Sequence, residues 1–109
     1  MGPEHRFQHK VIKALKTLPN TYFHKHQAGS IRGIADIIGC VNGRFIALEL
    51  KKDLISTRSQ AGRIVLQRHN IDKINKAGGY GCIVSPETWE EVFAYLKSIS
   101  TITQEVNDE

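Results

Sequence analysis

Residues 33–52, GIADIIGCVNGRFIALELKK, constrain this chain more than any other stretch. Two apolar runs rich in β-branched residues flank Asn42-Gly43. Both turn residues accept the positive φ that a type I′ turn demands, so the stretch reads as a β-hairpin. With Asn42 and Gly43 at the bend, Val41 faces Arg44, Cys40 faces Phe45 and Asp36 faces Glu49. That register sets two carboxylates side by side.

Opposed residues of an antiparallel pair share a face, and like charges placed there destabilise the sheet. Ile38, Cys40, Phe45 and Ala47 lie on the same face, so the acids stand at the end of an apolar surface. Burying them without compensation is costly. Lys51 returns to this face by the strand's period of two, whereas Lys52 points to the other. The bland alternative is an ordinary hairpin whose Glu49 and Lys51 form a surface ion pair of little worth. Against it, Ile37, Val41, Ile46, Leu48 and Leu50 make the opposite side apolar too, which predicts helices on both faces. A hard divalent cation is the simplest compensation for the acid pair, because Mg²⁺ favours carboxylate oxygens and keeps waters for a substrate phosphate.

The spacing Asp36-x12-Glu49-x-Lys51, with Gly33 three residues before the Asp, resembles the core motif of the PD-(D/E)XK nucleases. Within them it is most similar to the virus-type replication-repair nuclease (VRR-NUC) domains, whose pattern runs Gly-x-Pro-Asp and then a Glu-x-Lys strand. Ala35 stands where that pattern has Pro. The resemblance covers about residues 4–96 and implies the restriction-endonuclease-like fold.

The length of 109 residues suits a single domain with one core, and composition is that of a globular protein. No apolar run approaches a membrane span and the N-terminus lacks signal-peptide architecture, so no membrane partner and a cytoplasmic setting, bacterial or phage-infected, are expected. The first 97 residues hold all 15 Lys and Arg but only 8 of the 11 acids, a net of +7, which suggests a polyanionic partner. Cys40 and Cys82 read as small buried residues of a reducing compartment. Five histidines include His5 and His9 at helical spacing and His24-x-His26, but no further ligands complete a zinc site.

From residue 3 to residue 18, Phe7, Val11, Ile12, Ala14, Leu15 and Leu18 form one stripe at 100° per residue, predicting a helix with Pro3 in its first turn and Pro19 beyond its end. Arg6, His9, Lys10, Lys13 and Lys16 take the opposite face. Glu4 lies on the apolar stripe, either as a solvated first-turn acid that complements the helix dipole or as a third acid near the metal. The resemblance supports the second role, since VRR-NUC domains have a Glu at a similar place. Residues 21–27 read as the first strand. Lys25, Arg32 and Lys52 are candidate phosphate contacts beside the hairpin, although a solvated position is the safer default. Residues 53–63, polar and containing Gly62, read as a connection whose Arg58 and Arg63 are further candidates for gripping a nucleic-acid backbone.

A helix is predicted over about residues 63–76, with Ile64, Ile71, Ile74 and Ala77 inward and Gly78-Gly79 stopping it. Gln67 lies on that stripe, as an amide directed at the sheet or one at the helix rim. In VRR-NUC domains a Gln ten residues ahead of an Ala-Gly-Gly sits beside the active site, and Gln67 has that spacing to Ala77-Gly78-Gly79. Residues 80–84 read as a strand and Ser85-Pro86-Glu87 as an N-cap opening a helix to about Ser98, on Trp89, Val92, Phe93 and Leu96. Residues 1–99 form the expected nuclease domain and residues 100–109 a disordered acidic tail. The element order predicts an α/β domain whose mixed sheet carries the hairpin near its middle.

The resemblance implies a metal-dependent endonuclease. Asp36, Glu49 and the Leu50 carbonyl, with Glu4 as a further ligand, would hold Mg²⁺ or Mn²⁺, and Lys51 and Gln67 would complete the catalytic set. Stand-alone domains of this kind resemble Holliday-junction resolvases, which act on branched DNA as homodimers. Few exposed aromatics are expected, which fits recognition of shape and backbone over base stacking. The alternatives are a flap or duplex nuclease, or a junction-binding module without catalysis. An RNA-binding protein lacks any recognisable aromatic or glycine-clamp signature.

Overall fold

A computed structural model describes residues 2–26, 35–54 and 62–102. In chain order the elements are α1 (Pro3–Leu15), β1 (Thr21–Lys25), β2 (Ile37–Val41), β3 (Arg44–Leu50), α2 (Gly62–Lys76), β4 (Tyr80–Val84) and α3 (Trp89–Ser100). The four strands make one mixed sheet in the order β1-β2-β3-β4, antiparallel across β1/β2 and β2/β3 and parallel across β3/β4. The expected α/β architecture is thus present, with the hairpin in the middle of the sheet. Among the described residues no helix is long and apolar enough to cross a membrane.

The hairpin forms as its turn residues dictate. Asn42 has φ 50° and Gly43 φ 91°, and Val41 pairs with Arg44, Cys40 with Phe45 and Ile37 with Leu48. Gly39 is required for a second reason. A Cβ there would lie 2.1 Å from the Tyr22 carbonyl oxygen, so β1 approaches β2 too closely for any side chain at that position.

One face of the sheet carries the main core. Phe7, Val11 and Leu15 of α1 and Trp89, Val92 and Leu96 of α3 pack with Ile37, Val41, Ile46 and Leu48. These are the stripes that helical and strand periodicity select. α1 nevertheless ends a turn earlier than residue 18, because its last turn tightens: Thr17 N–H donates to Ala14 O and Leu18 N–H to Leu15 O. Leu18 still reaches the core.

The other face receives α2, which is pinned to β4 by Asn75. Its Oδ1 accepts the Gly81 N–H at 2.8 Å and its Nδ2 donates to the Gly81 carbonyl at 3.0 Å. Gly62 begins this helix instead of belonging to the connection before it. Ala77 is exposed, correcting its expected place on the inward stripe, because the helix has ended and the chain turns through Gly78 at φ 98°. The cover on this face is also incomplete: Tyr22 is 71 % exposed and Phe45 47 %.

Residues 86–88 form a turn and α3 begins only at Trp89, so Pro86 is not the first helical residue. The Ser85 N–H is taken by Thr88 Oγ1 at 3.0 Å, and Thr88 N–H returns to the Ser85 carbonyl. At its other end α3 reaches Ser100, which is fully buried. Asn20 Nδ2 donates to Ser100 O at 3.0 Å, and Asn42 Nδ2 donates to Ile99 O at 2.9 Å and to Ile102 O at 2.7 Å. Residues 100–102 are therefore fastened, Ser100 to Asn20 and Ile102 to the hairpin turn, and are not part of a free tail, while residues 103–109 lie outside the described residues.

Asn42 thus serves twice, as a left-handed turn residue and as a cap for the last carbonyls of α3. Asn42→Ala loses both roles and is expected to lower stability by about 2–3 kcal/mol. Asn42→Gly keeps the turn and should lose only about 1 kcal/mol. Urea unfolding of the two variants beside the parent protein measures the difference.

Candidate functional site

The register that joins Ile37 to Leu48 places Asp36 opposite Glu49, on the sheet face opposite the main core. Hydrogen bonds lock this juxtaposition. The Asp36 N–H donates to Glu49 Oε1 at 3.1 Å, and the Leu50 N–H donates to Asp36 Oδ2 at 2.8 Å. His26 N–H donates to the Asp36 carbonyl at 2.7 Å, and Lys51 N–H to the Val84 carbonyl at 2.7 Å, so backbone pairing holds the row from both sides. Each acid is bonded to the other's strand. The pair is consequently built into the ladder and cannot drift apart as two solvated side chains do.

Lys51 Nζ lies 3.3 Å from Glu49 Oε2, completing the expected trio. Glu49 is only 2 % exposed, which removes the reading of a surface ion pair. Burial pushes the Glu49 pKa up to about 7, and the charge and hydrogen bonding of Asp36 push in the same direction, against the pull of Lys51. Among the described residues one ammonium faces two carboxylates, a net negative cluster of hard oxygen donors.

Gln67 projects from α2 towards this face and is 2 % exposed, so it is an inward amide and not a rim residue. Its Oε1 is buried without a hydrogen-bond partner among the described residues. Gln67 and Glu49 line a cavity of about 110 Å³ between α2 and the sheet, whose other walls are chiefly Ile38, Phe45, Ala47 and Ile71. Ala35 is buried and also lines it.

Other expected site residues divide into three groups. Leu50 is beside the pair, its backbone N–H bonded to Asp36. Lys25 and Lys52 are exposed, Lys25 at the end of the edge strand β1 and Lys52 just beyond Lys51, and neither is joined to the carboxylates. Arg32, Arg58 and the side chains of Glu4 and Arg63 lie outside the described residues, although Glu4 and Arg63 fall in the first turns of α1 and α2. His5, His9 and His24 are exposed, and among the described residues no three His, Cys, Asp or Glu side chains group together. Cys40 and Cys82 are half-buried free thiols, and burial pushes that of Cys82 up to about 11.

Sequence reasoning missed Arg68. Its Nε is buried with no partner among the described residues, and it shares the side of α2 that carries Asn75 seven residues on. An Arg next to the inward stripe of a helix reads as a solvated flank, and only packing against the sheet distinguishes the two. Tyr22 and Phe45 were missed for the same reason, since alternation assigns them a face but not the cover over it.

The raised Glu49 pKa has a measurable consequence in metal-free protein. Between about pH 4.5 and 7 the folded state keeps a proton that the unfolded chain releases. The folded state then binds more protons, so stability falls as pH rises through this window, by on the order of 2 kcal/mol. Urea unfolding in chelator at the two ends of the window should show that fall, and Glu49→Gln should abolish this part of it. Compared with protein-family models, curated proteins and solved structures, the chain matches none of them.

Proposed function

We propose that the protein is a metal-dependent DNA endonuclease that hydrolyses phosphodiesters at the Asp36–Glu49–Lys51 site. One observation carries this reading: two hydrogen-bonded carboxylates, one almost fully buried, meet, among the described residues, a single ammonium on one sheet face. Removing two acids from water is costly, and that cost makes a purely structural role hard to sustain for a pair so poorly neutralised. A cation compensates it.

The donor set fits Mg²⁺, or Mn²⁺ in its place, because hard ions of this size take one or two carboxylates and keep their remaining positions for water and phosphate. Asp36, Glu49 and the Leu50 carbonyl would hold the ion, with Glu4 as a further acid. When bound, it lowers the pKa of a coordinated water and offsets charge growing on the phosphoryl oxygens. In this reading Lys51, held by Glu49, orients the attacking water through its ammonium. Gln67 offers an amide at the back of the site to fix that geometry. Glu49 in turn holds the Lys51 ammonium in position.

The partner in this reading is DNA, in keeping with the +7 net charge of residues 1–97. A branched substrate such as a four-way junction, cut by a homodimer in the cytoplasm, is the version that the resemblance to VRR-NUC domains favours. A flap or linear duplex is the second, and a binding module without catalysis the third.

Asp36→Ala or Glu49→Ala should reduce cleavage of a four-way junction by about 10³-fold or more, and Lys51→Ala by about 10²-fold. Chelator should abolish cleavage, and Mg²⁺ or Mn²⁺ should restore it. The assay is gel electrophoresis of labelled junction, flap and duplex DNA, with circular dichroism to check folding. Undiminished cutting by the Asp36 variant removes the proposal.

A further inference from the structure

The face that carries the carboxylate pair is not closed by α2. Tyr22 pairs with Cys40, and Cys40 with Phe45, so the three stand in one row across β1, β2 and β3. Side chains in such a row point the same way, and here they share the face of Asp36 and Glu49. Tyr22 and Phe45 are the most exposed aromatic rings among the described residues, at 71 % and 47 %. With strands about 4.8 Å apart, the two rings are separated by about 10 Å. Phe45 lies four residues before Glu49, about 14 Å along β3. It also forms a wall of the cavity that holds Glu49 and the unpartnered amide oxygen of Gln67.

Exposed aromatic rings beside an apolar slot need an explanation, because the other face of the sheet hides its apolar side chains well. The next row holds His24 and Ile38, paired with each other, and Ile38 pairs in turn with Ala47. His24 is exposed and Lys51 stands in reach of solvent at 21 %. The open strip from Tyr22 to the acid pair thus carries flat apolar surface, the imidazole of His24 and, beside the pair, the Lys51 ammonium. A flexible polyanion with flat heteroaromatic side groups has the matching chemistry: its rings stack on Phe and Tyr, and the net charge of +7 over residues 1–97 attracts its phosphates. A paired duplex cannot use the strip, because its bases are already stacked.

We propose that this strip binds unpaired nucleotides, with bases stacking on Phe45 and Tyr22 and one ring reaching the cavity beside Gln67. The donor edge of that base would satisfy the Gln67 oxygen. The proposal rests on the nuclease reading for the nature of the ligand, and deepens it by selecting, among the substrates of that reading, the flap with its unpaired arm over the fully paired junction and duplex.

The test measures binding and cleavage separately. Fluorescence anisotropy in chelator compares labelled oligothymidylate with a duplex of equal length, for the parent protein and for Tyr22→Ala, Tyr22→Phe, Phe45→Ala and Asp36→Ala. The parent should prefer the single strand. Tyr22→Ala and Phe45→Ala should each weaken that binding about ten-fold while leaving duplex binding alone, and Tyr22→Phe should keep it. Tyr22 is so exposed that its replacement is not expected to disturb folding, which protects the test if Phe45→Ala does.

Equal affinity of parent and alanine variants for the single strand overturns the proposal, as does a parent protein that prefers duplex. Sedimentation adds a third arm: a parent dimer that Tyr22→Ala dissociates would make the strip an interface between copies, and would equally overturn it. Preference without metal-dependent cleavage in the parent would retain the strip and discard the nuclease. Cleavage lost in Asp36→Ala, with no preference for unpaired DNA, would do the reverse.

Discussion

The register between β2 and β3 is the constraint on which the rest of this molecule depends. An antiparallel ladder has a side-chain period of two, so a slip of one residue would send Asp36 to the main core and leave the buried aliphatic row facing solvent. Two devices prevent the slip. Asn42-Gly43 closes the hairpin in the left-handed conformation of a two-residue turn, and Asn42 ties that turn to the last carbonyls of α3. The same residues that set the register therefore dock the C-terminal helix. Geometry at the carboxylates is inherited from a turn at the far end of the hairpin.

At those carboxylates the fold accepts an electrostatic cost. Two acids on adjacent strands repel, and burying Glu49 beneath α2 makes its charge dearer still, which is why its pKa rises to about 7 despite the neighbouring Lys51. Backbone N–H groups from the opposite strands offset part of this by bonding to each carboxylate. The result is a rigid site whose charge balance is incomplete, with a buried amide and a small cavity behind it. Rigid placement of incompletely compensated charge is what a site needs if it is to bind a cation and act on an anion.

Much of this was legible in the chain itself. Asn-Gly between β-branched runs gave the hairpin and hence the Asp36–Glu49–Lys51 trio, and period counting gave the inward stripes of α1 and α3 and the inward Gln67. Errors gathered at element ends. The early stop of α1, the late start of α3 and the exposure of Ala77 each follow from local hydrogen bonds that tighten or redirect a turn, which periodicity does not register. Fastening of residues 100–102 was hidden because it depends on amides of Asn20 and Asn42, far away in the chain.

What the sequence determined by itself is the set of neighbours along and across the hairpin, because turn chemistry and the two-residue period are local and leave a single register. What only the tertiary structure decided is depth. α2 lies over β4 and β3, so Glu49, Gln67 and part of Arg68 become buried, whereas Phe45 and Tyr22 on the same sheet face remain in the open. Alternation tells which side of a strand a residue takes, but the cover above that side comes from where a distant helix docks. Here that docking is set by Asn75 gripping Gly81 across the sheet edge.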